Sequence, residues 1–160
     1  VQAWLLPSAD ERRAAVEREI DAYAQAAEVA WETAHAPDAS ATVKQAQQMA
    51  AASHYARLLQ KANGSLGGNH VLVLLAQKRL AHVMTESGAA RSCGNALPLW
   101  RAVFAATRRC VPANWPHLLV PLRGGKQAAS VAGDADAAAD FARQLDVVLG
   151  VLRPKCDDVA

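Results

Sequence analysis

Alanine fills 37 of the 160 positions, isoleucine fills one, and Phe, Trp and Tyr together make up 5% of the chain. Alanine is the strongest helix former, whereas strands draw on β-branched and aromatic side chains. The composition therefore predicts closely packed helices with small side chains and excludes an all-β fold. With 52% hydrophobic and 20% charged residues, the chain can bury a real core as one ordinary domain, and it is too apolar for a disordered tail. Three cysteines without a CxxC pair argue against a closed disulfide framework and against a zinc site. The longest apolar run, Val71 to Ala76, is far short of the ~18 residues of a membrane span. Val1 to Leu6 lacks the basic flank of a signal peptide. A soluble, cytoplasmic chain with reduced thiols and no membrane partner is expected.

Helical punctuation recurs along the sequence. Ser8 with Glu11 forms a capping box that starts a first helix near Ala9, and Ile20, Tyr23, Ala27, Ala30, Trp31 and Ala34 follow at helical spacing before Pro37. Thr42 with Gln45 predicts a second capping box, with Met49, Ala52, Ala56, Leu59 and Ala62 as the buried line and Asn63–Gly64 as the stop. Asn69 to Ser87 reads as one buried central helix with Leu80, Val83 and Met84 on one stripe, preferred to a strand over Val71–Leu75 because Ala76 to Met84 continues at helical period. A fourth helix is predicted from Leu97 to Cys110, with Pro98 in its first turn. Val111 to Gly125 holds Pro112, Pro116, Pro121 and a glycine pair, which predicts a long irregular connection with at most one helical turn. A last helix opens near Asp134 and Asp136, buries Phe141, Leu145, Val148, Leu149 and Leu152, and stops at Pro154. The expected architecture is all-α: a single domain over residues 1–160, folded as a compact bundle of about five helices with a Pro-rich connection before the last one. Val71, Leu74, Leu75, Trp100, Phe104, Phe141, Leu145 and Leu149 are its expected core.

Charge is unevenly placed. Residues 1–60 hold five basic and eight acidic side chains, residues 61–130 nine and one, and residues 131–160 three and six. Only Glu86 interrupts the basic block. Lys78, Arg79, Arg91, Arg101, Arg108, Arg109, Arg123 and Lys126 are therefore the candidate nucleic-acid-binding residues, because guanidinium groups pair well with phosphates. Trp100, Trp115 and His117 lie among them, and an aromatic ring there would stack on an unpaired base. The competing expectation is that acidic helices neutralise the block, leaving a mixed solvated surface.

Catalytic patterns are incomplete. Glu32 and His35 stand at ExxH spacing, but a di-iron site needs a second ExxH and two further carboxylates, and the sequence has no other ExxH. His54, His70 and His82 have no HxxxH or HExxH partner. Gly124, Gly125 and Lys126 resemble the end of a phosphate loop, yet Val120 replaces its first glycine and Gln127 its Ser or Thr. Cys93 reads as a plain, partly buried thiol. No catalytic residue, metal site or cofactor is expected, and the chain is not expected to be an enzyme.

Tyr55, Leu58 and Leu59, then Asn63, Gly64 and Leu66, then the apolar Val71–Leu75 are similar to the aromatic, apolar, Asn-Gly-Leu turn and apolar helix of one protein family. The chain resembles the small α-helical subunits of CRISPR effector complexes, over residues 55–75 locally and in size, helical pattern and basic middle overall. The resemblance implies a noncatalytic subunit that holds the backbone of a guide RNA or target strand beside other protein subunits of an antiviral ribonucleoprotein. A helical protein-interaction module, adaptor or regulatory, is the alternative reading of the same composition.

Overall fold

The computed structural model describes residues 6–67, 70–111 and 116–152, and every regular element among them is helical. The elements are α1 (Ala9–Ala34), α2 (Ala41–Ser65), α3 (Val71–Glu86), α4 (Ala90–Cys110), α5 (Leu119–Ala132) and α6 (Ala135–Leu152), with a 3₁₀ turn at Pro116–Leu118 ahead of α5. The all-α expectation holds, with six helices rather than five. Packing divides the chain into Val1–Ala76 and Gln77–Ala160, a division that falls inside α3.

In the first unit α1 packs along α2. The Ser8 hydroxyl accepts from Glu11 N–H at 3.1 Å and the Glu11 carboxylate accepts from Ser8 N–H at 2.6 Å, which completes the predicted capping box. These bonds to the charged form hold the Glu11 carboxyl below the usual range. Ile20, Ala27, Ala30 and Ala34 are buried as the spacing predicted. In α2 Leu59 and Ala62 are buried as expected, but the cap and the first part of the buried line differ from the expectation. The cap is Ser40, whose hydroxyl accepts from Val43 N–H at 3.3 Å, not Thr42. The buried line is Ala51, Tyr55, Leu58, Leu59 and Ala62, while Met49 is 69% exposed and Ala56 is exposed. Alanine recurs on several faces of α2, so its stripe has no unique phase. Tyr55 sets it, donating its hydroxyl to Glu28 on α1, and Lys61 pairs with Glu19 at 2.7 Å on the same pair of helices.

α3 is helix, not strand, and buries Leu80 and Val83 of the expected stripe, whereas Val71, Leu74 and Leu75 are not in the core. Val73, Ala76, Leu80, Ala81 and Val83 are buried, Leu74 is half-buried, and Val71 is 74% and Leu75 38% exposed. A run of five apolar residues has no polar face to orient it, and Val73, Ala76, Leu80 and Ala81 mark the inward side rather than Val71 or Leu75. Asn69 lies outside the described residues.

The second unit holds one core formed by Cys93, Leu97, Trp100, Leu118, Leu122, Phe141, Leu145 and Val148, with alanines between them. α5 packs on both α4 and α6. α4 begins at Ala90, two turns earlier than predicted, and Pro98 is in its interior. The early turns bury Cys93 and Ala96 completely; such small residues carry little periodic signal, yet they extend the stripe of Leu97 and Trp100. Phe104 and Leu149, expected in the core, are half-buried beside it.

The largest correction concerns Val111 to Gly125. Pro112 and its neighbours to residue 115 lie outside the described residues, but from Pro116 the chain is helical, and α5 runs through both glycines. Pro121 is the third residue of α5, where a backbone N–H has no partner within the helix, so proline costs no hydrogen bond. Gly124 and Gly125 do not break the helix because bulk lies directly over them. A Cβ on Gly124 would stand 2.5 Å from Trp100 Cζ2, and one on Gly125 would meet the Phe141 ring. The two aromatic anchors of α4 and α6 thus reach the backbone of α5. α5 ends at Gly133, in the left-handed conformation at φ 75°. Asp134 then caps α6, its carboxylate accepting from Ala137 N–H at 2.9 Å. Pro154 lies outside the described residues.

Candidate nucleic-acid interface

All eight candidate basic residues lie in the second unit, where residues 77–160 hold eleven basic and seven acidic side chains. They do not form one patch. Lys78 and Arg79 on α3 are half-buried, with Arg79 Nε withdrawn from solvent. Arg91, Arg101, Arg108 and Arg109 are all exposed on α4. Arg101 and Arg108, seven residues apart, share one flank, about 10 Å apart along the axis. Arg91 and Arg109, five turns apart, share another flank, turned about 90° from the first. Arg123 and Lys126 are exposed on α5, and Arg123 lines a separate cavity of about 240 Å³ with Thr85, Trp100 and Gln127.

The α4 flank carrying Arg101 and Arg108 looks toward α6. The Arg101 guanidinium carbon lies 5.7 Å from the centroid of the Phe141 ring, within cation–π range. Arg108 borders a cavity of about 300 Å³ between α4 and α6, whose walls are Phe104, Leu118, Val147, Val148 and Val151 with Gln144 on one side.

Among the described residues no carboxylate pairs with this flank. α4 contains four arginines and no Asp or Glu. Among the described residues Arg91, Arg101, Arg108, Arg123 and Lys126 make no ion pair. On α6, Asp140 is engaged by its own helix, accepting from Arg143 at 3.3 Å and from Gln144 Nε2 at 3.0 Å. Glu86, the single carboxylate of the central block, accepts His82 Nε2 at 3.0 Å.

Trp100 is not available as a stacking surface. It is 1% exposed, with its indole N–H donated to Thr85 Oγ1 at 3.0 Å. His117 is exposed, and Trp115 lies outside the described residues. The α4–α6 cavity was not anticipated. Its signal was the pair Val147 and Val151, one turn apart beside the buried stripe of α6, and both are exposed, at 69% and 52%.

Among the remaining chemical candidates, His54 is half-buried with its Nδ1 withdrawn from solvent. Glu32 and His35 are exposed; the His35 ring stacks on Trp31 at 4.0 Å, and its Nδ1 lies 2.8 Å from the Trp31 carbonyl. His70 Nδ1 accepts from Leu72 N–H at 3.2 Å, at the start of α3. The Cys93 thiol is fully buried, 3.6 Å from the Thr85 carbonyl, and burial pushes its pKa up. Gly124 to Lys126 are interior residues of α5. No helix among the described residues is long and apolar enough to cross a membrane. Compared with family models, curated proteins and solved structures, the chain matches none of them.

Proposed function

We propose that this chain is a noncatalytic nucleic-acid-binding subunit that holds a strand by its phosphates, chiefly through α4. The observation that carries the reading is that α4 has no carboxylate and that its exposed Arg91, Arg101 and Arg108 have no ion-pair partner among the described residues. Arginines held on a rigid helix without competing acids are suited to paired hydrogen bonds with phosphate. Because they stand on two flanks, a strand follows one of them, and the Arg101–Arg108 flank beside α6 is the one with a cavity at hand. Arg123 and Lys126 extend the positive field, and Lys78 and Arg79 contribute less because they are half-buried. Membership of a CRISPR-type effector, with a guide RNA or target strand and further protein subunits as partners, rests on the resemblance at residues 55–75.

A helical protein-interaction module is the second reading, favoured by the exposure of Val147 and Val151 beside the α4–α6 cavity. Retention on immobilised single strands of mixed sequence separates the two. Phosphate contacts predict retention of RNA and DNA alike, independent of sequence and released by salt. An absence of retention at low salt contradicts the nucleic-acid reading and leaves the interaction module.

A further inference from the structure

The α4–α6 cavity has the makings of a base site. Its volume of about 300 Å³ lies at the lower end of cavities that enclose small molecules. Phe104, Leu118 and Val148 form an apolar interior, and the exposed Val147 and Val151 form one lip. Gln144 brings a side-chain amide to this wall. Its Nε2 is committed to Asp140 at 3.0 Å, which orients the amide and directs its oxygen away from that carboxylate as a hydrogen-bond acceptor. Arg108 stands at the edge, and Arg101 lies on the same flank nearly two turns away.

Apolar walls, one oriented amide and two cations outside suit a group that is flat and apolar on its faces, polar at its edge and anionic on both sides. A nucleotide within a single strand is such a group. We propose that the cavity between α4 and α6 takes one unstacked nucleobase, with Arg101 and Arg108 on the flanking phosphates and Gln144 on the base edge. This rests on the nucleic-acid reading above and sharpens it: the substrate is a single strand, since a paired and stacked base cannot enter without being extruded. Because one amide oxygen accepts from an exocyclic amine of adenine, guanine or cytosine and from the ring N3–H of thymine or uracil, discrimination among bases is weak.

The test compares two labelled probes of equal length and charge, a mixed-sequence single-stranded DNA and the same strand carrying abasic sites throughout, binding to the full chain at one salt concentration. The base-bearing strand is expected to bind about tenfold more tightly, the effect of a single buried base. The V147S/V151S variant alters two exposed side chains, so folding is not at stake. It should lower the affinity for the base-bearing strand to that of the abasic one and leave the abasic affinity and the salt dependence unchanged. R101A/R108A should weaken both probes. Equal binding of the two probes by the wild type would overturn the base site while leaving the backbone reading in place. Failure of both probes to bind would overturn the two together. Binding of an acidic amphipathic peptide that is lost in V147S/V151S, with no difference between the probes, would assign the cavity to a protein partner instead.

Discussion

The indole N–H of Trp100 on α4 donates a 3.0 Å hydrogen bond to the hydroxyl of Thr85 on α3, and that hydroxyl in turn donates to the Ala81 carbonyl at 2.7 Å. Thr85 is 5% exposed, a polar residue within an apolar setting, and this chain of bonds explains its place there. Replacing Thr85 with Val keeps the shape and strands the buried indole N–H, at a cost of about 1–3 kcal/mol. Thr85→Ser keeps the acceptor and should retain most of that stability. Urea midpoints at unchanged m-value check both.

The glycine pair in α5 gives a prediction whose sign opposes helix propensity. Alanine is ordinarily about 1 kcal/mol better than glycine inside a helix. At Gly124 and Gly125, however, a methyl group would run into Trp100 and Phe141, and overpacking of a tight core costs about 1–3 kcal/mol. Each Gly→Ala change should therefore destabilise, whereas Gly150→Ala on α6, with nothing within 4 Å of the new Cβ, should be stabilising. Thermal midpoints of the three variants test the contrast directly.

Cys93 and Cys110 lie on one helix but differ in fate. Cys93 is fully buried and Cys110 is exposed. Pulse alkylation with peptide mapping should modify Cys110 in the native protein, and Cys93 only after denaturant is added. Because burial raises the Cys93 pKa in the folded state, its neutral thiol contributes stability that is present below the unfolded thiol pKa. That contribution is lost as pH rises through the folded value. Cys93→Ala should remove this alkaline component of the stability profile.

Capping and large side chains made much of the fold legible. Ser8 with Glu11, the Phe141–Leu145–Val148 stripe and the burial of Trp100 all follow from spacing. What escaped was set by small residues. Alanine packs on whichever face tertiary contacts select, so the phases of α2 and α3 were settled by Tyr55 and by Ala76 and Ala81, not by Met49 or Val71. Proline and glycine read locally as breakers, while Pro121 is tolerated in the first turn of α5 and the glycine pair packs against Trp100, distant in sequence, and Phe141. The basic block was plain in the sequence, but its division into separate flanks required helix phase, and the cavity beside Arg108 required the meeting of α4 with α6. Val71→Ala, at a position 74% exposed, should be nearly neutral, whereas Phe141→Ala should cost about 3–5 kcal/mol.

The salt dependence of single-strand binding, compared between the wild type and R101A/R108A, tests the central claim most directly. Each phosphate neutralised on a single strand contributes about −0.7 to the slope of log affinity against log salt. Both arginines are exposed, so their removal leaves the core of the second unit intact. Phosphate contacts through this flank of α4 predict a slope flattened by about 1.4 in the double variant, with the same change on RNA and DNA of unrelated sequence. An affinity and a slope unchanged by the double substitution would contradict it.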